Sequence, residues 1–139
     1  MILFDTNVVI DARDNFSGLG ARSAALVAEA VLGGGAAVNA IVFAELCVGQ
    51  TEPAGVEAEL RAAGFNIVDV PAAASGICGR AYTKYRFARK RSKGGDAPST
   101  PLPDFFIGAH AELMGWKLAT RDSERFRLYF PDVELIEPV

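Results

Sequence analysis

Short apolar runs recur along this chain, each closed by a polar turn or a glycine and followed by a helix-length segment. That alternation leaves few architectures open. Ile2 to Asp5, Ala36 to Asn39, Asn66 to Val70, Trp116 to Ala119 and Val133 to Ile136 read as strands. Between them, helices are expected from the Asp5-Thr6-Asn7 turn to about Arg13, over Ala21 to Leu32, Ile41 to Val48, Val56 to Ala63, Ala73 to Lys90, Asp104 to Met114, and briefly around Glu124 to Tyr129. Gly33-Gly34-Gly35, Gly49, Gly64 and Gly115 are the stops, and Asn39 is a natural N-cap. Apolar strands alternating with helices give an α/β fold whose central, mainly parallel sheet of about five short strands is covered on both faces. The Gly- and Pro-rich segment from Ser92 to Pro103 is a loop rather than a linker. With no internal repeat, residues 1–139 are expected to form one domain.

Four acids occupy unusual places in that pattern. Asp5 ends the first strand, Glu45 lies among Ala40-Ile-Val-Phe-Ala and Leu-Cys-Val48, Asp104 opens Asp-Phe-Phe-Ile107, and Asp122 follows the strand beginning near Trp116. In an open parallel sheet, sites form beyond the carboxyl ends of the strands. Each acid falls at that edge: Asp5 and Asp122 follow strands, Glu45 sits in the first turns of a helix leaving a strand, and Asp104 starts a helix running back toward one. Singly, Asp5 reads as a turn residue, Asp104 as a dipole partner of its helix and Asp122 as a cap. Independent caps have no reason to share one edge with Glu45. Clustered, buried carboxylates are costly without a counter-charge. An oxygen-only donor set without a Cys/His pattern favours Mg²⁺, with Mn²⁺ as a substitute, over zinc. A hard dication there suits phosphodiester hydrolysis. No Ser/His/Asp nucleophile set and no Gly-Lys-Ser/Thr phosphate loop is present.

The strings that carry these acids resemble a known family. Phe4-Asp5-Thr6-Asn7, Ala44-Glu45-Leu46, Leu102-Pro103-Asp104-Phe-Phe-Ile107, and Ala119-Thr120-Arg121-Asp122 with Arg125-Phe126 and Tyr129-Phe130-Pro131 are similar, in order and spacing, to those of PIN-domain ribonucleases. Within these, the chain resembles toxins of the VapC type from bacterial VapBC toxin–antitoxin systems. The resemblance implies a PIN-like three-layer α/β/α sandwich and a Mg/Mn-dependent endoribonuclease that leaves a 3′-hydroxyl and a 5′-phosphate. It makes Asp5, Glu45, Asp104 and Asp122 the catalytic, metal-holding acids, with Thr6, Asn7 and Thr120 as polar supports. It also implies a VapB-type antitoxin whose C-terminal segment occludes the site, and a homodimer. The helices Ala21 to Leu32 and Val42 to Val48 are the expected groove for the antitoxin. The chain departs from the family pattern at Asn39, where Ser or Thr is frequent, and in a longer loop before Asp104.

Charge distribution points to the same substrate. The net charge is only −3, yet Arg80, Lys84, Arg86, Arg89, Lys90, Arg91 and Lys93 are half of the 14 Lys and Arg. No acid interrupts the stretch between Asp69 and Asp96. A solvated helix usually mixes signs to gain from i,i+4 pairs; this one accepts self-repulsion, as an RNA-contacting surface does. Arg80, Lys84, Arg86, Arg89, Lys90 and Arg91 are therefore the expected RNA contacts, with base stacking by Tyr82 or Tyr85 where these are not core. His110 is expected to be a satisfied structural histidine, and Trp116, Phe126, Tyr129 and Phe130 packing residues. Cys47 and Cys78 are too few for a disulfide framework and are expected reduced and buried. No apolar run approaches the roughly 20 residues of a membrane span, so a cytoplasmic protein is expected.

Two other functions stay open at this level. One is a catalytically inactive PIN module that binds RNA or a partner. The other is a haloacid-dehalogenase-type phosphatase, in which Asp5 would be the nucleophile; Asn7 stands where that chemistry needs a second acid, and no suitable lysine follows.

Overall fold

The computed structural model describes residues 1–14 and 18–138. Five strands form one sheet: β1 (Ile2–Phe4), β2 (Ala36–Asn39), β3 (Phe65–Val68), β4 (Lys117–Ala119) and β5 (Leu135–Ile136). Their order is β3-β2-β1-β4-β5, and all four pairings are parallel. Among the described residues seven α-helices surround it: α1 (Thr6–Arg13), α2 (Gly18–Leu32), α3 (Ala40–Cys47), α4 (Pro53–Ala62), α5 (Ser75–Arg91), α6 (Pro103–Met114) and α7 (Glu124–Tyr129). Leu3 and Phe4 point to opposite faces of the sheet and are both fully buried, as are Ala37 and Val38, and Leu118 and Ala119. Both faces are thus covered, and the expected three-layer α/β/α arrangement is what the chain adopts.

The strand order has one consequence for function. From β1 the chain builds outward to β2 and β3, then returns to place β4 on the other side of β1. The reversal between β1 and β4 is a topological switch point, where the helices leaving two neighbouring strands diverge and open a crevice. Asp5 follows β1, and Thr120 follows β4.

Differences from the sequence reading lie at element ends. The first strand stops at Phe4, because Asp5 turns its carboxylate back onto the Thr6 amide and caps α1. Trp116 lies outside β4, half-buried, with its ring centroid 5.3 Å from that of His110. Pro71 feeds a 3-10 turn over Ala72–Ala74 before α5 begins. Helices α2 and α4 begin a turn earlier than the apolar pattern suggests; Pro53 supplies the first position of α4, where no amide donor is needed. Cys78 is buried, but Cys47 is only half-buried, and both are free thiols. Helix α6 comes close to the end of α7 at Gly108: a Cβ there would lie 2.4 Å from the ring of the buried Phe130.

Candidate active site

Asp5 is the centre of the crevice. Its amide donates to the Ala119 carbonyl across the β1–β4 pairing at 2.9 Å. That register brings the next residue of the neighbouring strand, Thr120, alongside. The Thr120 hydroxyl donates to Asp5 Oδ2 at 2.8 Å, and the Thr6 amide donates to Oδ1 at 2.8 Å. Asp5 is 5% exposed. Burial pushes its carboxyl up to about 6, and the negative charges of Asp104 and Glu45 push the same way, against the lowering effect of the Thr120 and Thr6 hydrogen bonds.

The other acids are fixed to this frame from different elements. Thr6, the first residue of α1, donates its hydroxyl to Glu45 Oε1 at 2.8 Å, tying the second turn of α3 to the end of β1. Thr120 Oγ1 also accepts from the Asp122 amide at 3.1 Å, so one threonine orders both Asp5 and the loop carrying Asp122. Asn7 Oδ1 accepts from the Arg121 amide at 3.2 Å, and Arg121 Nε donates to Asp11 at 2.8 Å, closing the same loop onto α1. Asp104 sits in the first turn of α6 after Pro103. Its carboxyl is raised by burial first and by the charge of Asp122, while Arg125 acts in the opposite direction.

Thr6, Asn7 and Thr120 therefore act as hydrogen-bonding supports of the acids or of the loop beneath them. The burial expected of the four acids holds for Asp5 alone. Asp104 is half-buried, and Glu45 and Asp122 are exposed at the mouth. Helix α3 looked apolar all round, yet it buries only Val42 and Leu46; Ala44, Glu45 and Val48 face outward. Among the described residues no three acid, His or Cys side chains already converge as a ready-made ligand group. The donor chemistry nevertheless fits a hard dication. Asp5 faces two further acids while receiving only hydroxyl and amide donors, so neutralisation must come from a proton or an added cation.

One residue at this site had no role assigned to it from the sequence. Arg125, from α7, donates Nη1 to Asp104 Oδ2 at 3.2 Å. Its guanidinium lies 5.2 Å from the Tyr85 ring centroid and 5.9 Å from that of Phe105. The Arg-Phe pair in the sequence was the only signal, and its role depends on how α7 packs against α5.

The expected RNA-contacting cations divide in two. Arg80, Lys84, Arg86, Lys90 and Arg91 are exposed on α5, and among the described residues none of them enters an ion pair. Arg89 is half-buried and committed: Nε donates to the Gly94 carbonyl at 3.1 Å and Nη1 to the Tyr85 hydroxyl at 3.0 Å, which makes it a clamp on the loop after α5. Tyr82 is core, donating its hydroxyl to the Pro98 carbonyl at 2.6 Å. Phe87, which the sequence reading passed over, is 66% exposed. It lines a cleft of about 190 Å³ with Arg86, Lys90 and Asp96.

His110 is fully buried, with burial lowering its pKa. Asn39 Oδ1 accepts from the Ile41 and Val42 amides, each at 3.1 Å, which leaves its Nδ2 to donate to His110 Nδ1 at 3.2 Å. That bond assigns His110 the neutral Nε2–H tautomer and a structural role. Asn39 is thus at once the N-cap of α3 and the partner of His110.

A second concavity, of about 310 Å³, is apolar. It lies between α1, α2 and α4, lined by Val9, Ala12, Ala24, Val27 and Leu60, with the Arg13–Glu59 ion pair at its rim. Helix α2 contributes to it as expected, but α3 does not, because its apolar face is spent on the core.

The family model for the PIN domain matches residues 2–130. No curated protein matches the chain in sequence. Solved structures that share its fold include VapBC2 from Rickettsia felis bound to a promoter DNA fragment, with a TM-score of 0.71 and 20% identity over 99% of this chain and 98% of that one. FitAcB from Neisseria gonorrhoeae aligns with a TM-score of 0.66 and 22% identity, and DNA-bound VapBC from Salmonella typhimurium with 0.66 and 17%; both again cover 99% of this chain and 98% of the other. At these identities the likeness is one of fold, and it spans essentially the whole of both partners. With Asp5 at the switch point of a 3-2-1-4-5 parallel sheet and a family match over nearly its full length, the chain belongs to the PIN-domain family.

Proposed function

We propose that this protein is a metal-dependent endoribonuclease toxin, held in check by a cognate VapB-type antitoxin. The observation that carries the reading is the seat of Asp5: an acid 5% exposed at the sheet's switch point, its two oxygens held by the neutral Thr6 amide and Thr120 hydroxyl, with burial and the charges of Asp104 and Glu45 raising its carboxyl. Such a group is poorly suited to stability and well suited to receiving a dication. Asp5, Glu45, Asp104 and Asp122 would hold Mg²⁺ or Mn²⁺, and when bound the ion supplies charge stabilisation for in-line displacement at phosphorus.

The chain's own residues account for the rest. Thr120 and the Thr6 amide fix both oxygens of Asp5, and Thr6 restrains Glu45, so the acids are oriented before substrate arrives. The unpaired cations of α5 attract an RNA backbone toward the acidic crevice, while the acids alone would repel it. Arg86 and Lys90 flank the exposed ring of Phe87, a combination that holds phosphate and stacks a base. The apolar groove between α1, α2 and α4 is suited to an amphipathic segment of an antitoxin, and similar folds are solved as toxin–antitoxin complexes. A homodimer and a cytoplasmic location belong to the same reading; among the described residues no helix is long and apolar enough to cross a membrane.

The test is cleavage of a defined single-stranded RNA by purified protein. Wild type should cut with Mg²⁺ or Mn²⁺ and stop with chelator, while Asp5→Asn and Asp104→Asn should be inactive yet folded. Equal cleavage by both variants, with contaminating nuclease excluded, removes the mechanism. The inactive-module reading is favoured by one feature, the Arg125–Asp104 pair that already neutralises one acid. It requires that Mn²⁺ binding be absent or indifferent to Asp5 and Glu45.

A further inference from the structure

Arg125 meets Asp104 in an unusual way. Only one hydrogen bond joins them, at 3.2 Å, and both side chains are about one-third exposed: 34% for Arg125 and 29% for Asp104. The guanidinium plane is held instead by aromatic rings. Tyr85 from α5 and Phe105 from α6 lie 5.2 and 5.9 Å from its carbon, and Phe105 is fully buried next to Asp104 in sequence. Tyr85 is itself wedged, its ring 5.3 Å from Phe105 and 5.7 Å from Tyr129, with its hydroxyl accepting from Arg89. The aromatic seat is fixed by packing, whereas the bond to Asp104 is a single, half-solvated contact of modest worth. Loss of that bond would leave the guanidinium in place.

We propose that Arg125 is an exchangeable counter-ion: it occupies Asp104 until a dication takes that carboxylate, and then presents its freed N–H donors, still seated on Tyr85 and Phe105, to a phosphate oxygen of the substrate. The proposal rests on the metal-dependent reading above. It accounts for two observations together. The acids share one crevice electrostatically, and yet among the described residues they do not converge as a ligand group, because one of them is turned to an arginine. A planar, always-charged fork suits both roles, since it pairs equally with carboxylate and phosphate.

The experiment is calorimetric titration of the intact protein with Mn²⁺, alongside RNA cleavage at saturating Mn²⁺, for wild type, Arg125→Gln and Arg125→Lys. Removing the competitor should tighten Mn²⁺ binding about five-fold, the worth of a half-exposed pair. Removing a phosphate donor should slow cleavage about 100-fold. The lysine, which keeps charge but not the stacked fork, should fall between on both measures. Mn²⁺ affinity unchanged or weakened in folded Arg125→Gln overturns the exchange, and undiminished cleavage overturns the phosphate contact. Absence of Mn²⁺ binding in wild type would instead sink the metal-dependent reading itself, so the two failures are told apart by which protein shows them.

Discussion

Replacing Asp5 by Asn should make the metal-free protein more stable, not less, at neutral pH. The folded carboxyl titrates at about 6 against 3.8 for the ordinary side chain. Between those values the folded protein holds a proton that the unfolded chain has released, so stability falls as pH rises through that window and the penalty is complete above about 6. The displacement from 3.8 to about 6 corresponds to about 3 kcal/mol. Asparagine keeps the shape: its carbonyl accepts from the Thr6 amide, it caps α1 as well as aspartate does, and its amide can donate to Thr120 Oγ1. For a chain of this size the gain amounts to about 10 °C in melting temperature. The assay is thermal unfolding by circular dichroism in chelator, from pH 3.5 to 8. The variant should melt well above wild type at pH 7.5, and the two should converge below pH 4. Mn²⁺ at about 100 times its dissociation constant should then add about 2.7 kcal/mol to wild type and nothing to the variant. A variant that melts at or below wild type at pH 7.5, or a difference that does not close on acidification, would show that the Asp5 charge is not a burden on the metal-free fold.

Other perturbations have outcomes fixed by the same geometry. Asn39→Ala removes the cap of α3 and the donor to His110 Nδ1 together, and should cost about 2 to 3 kcal/mol in urea unfolding while sparing cleavage per folded molecule. Gly108→Ala drives a methyl to 2.4 Å from the immobile Phe130 ring and should destabilise by about 1 to 3 kcal/mol, although alanine is the better helix former. The double variant Arg86→Ala with Lys90→Ala should weaken RNA binding and flatten its salt dependence by a slope of about 1 to 1.5, read from fluorescence anisotropy at several salt concentrations. Arg89→Ala should leave that slope nearly unchanged and loosen the loop after α5, seen as faster amide exchange around Gly94.

Much of the fold was legible because local signals agreed with the tertiary answer. Short apolar runs, three glycines after α2, Gly115 after α6 and Pro103 before Asp104 each mark a boundary that packing then respects. The placement of the four acids at one sheet edge was legible too, since it follows from strand–helix alternation alone. Their degree of burial was not. Helix α3 carries apolar residues on every side, so its pattern does not reveal that Glu45 looks out past Thr6 toward solvent. The groove was half legible for the same reason: composition names apolar helices but not which of them spend that surface on the core. Arg125 and Arg89 show a further limit. Arg89 lies in a basic run and Arg125 in an Arg-Phe pair, and neither context shows the partner that each takes when α7 and the loop after α5 close on Tyr85. His110 is buried and hydrogen-bonded, as a satisfied histidine would be, but its partner, the cap residue Asn39, lies 71 positions away.

The claim beneath the rest is that Asp5, Glu45, Asp104 and Asp122 are one charged system completed by one kind of cation. Diffraction from crystals soaked in Mn²⁺, recorded at the manganese absorption edge, tests it most directly. An anomalous peak is expected between the acids, within coordination distance of Asp5 and Asp104, with the Asp104 carboxylate turned from Arg125. Crystals saturated with Mn²⁺ that show no peak there, or peaks only at unrelated surface acids, would contradict it.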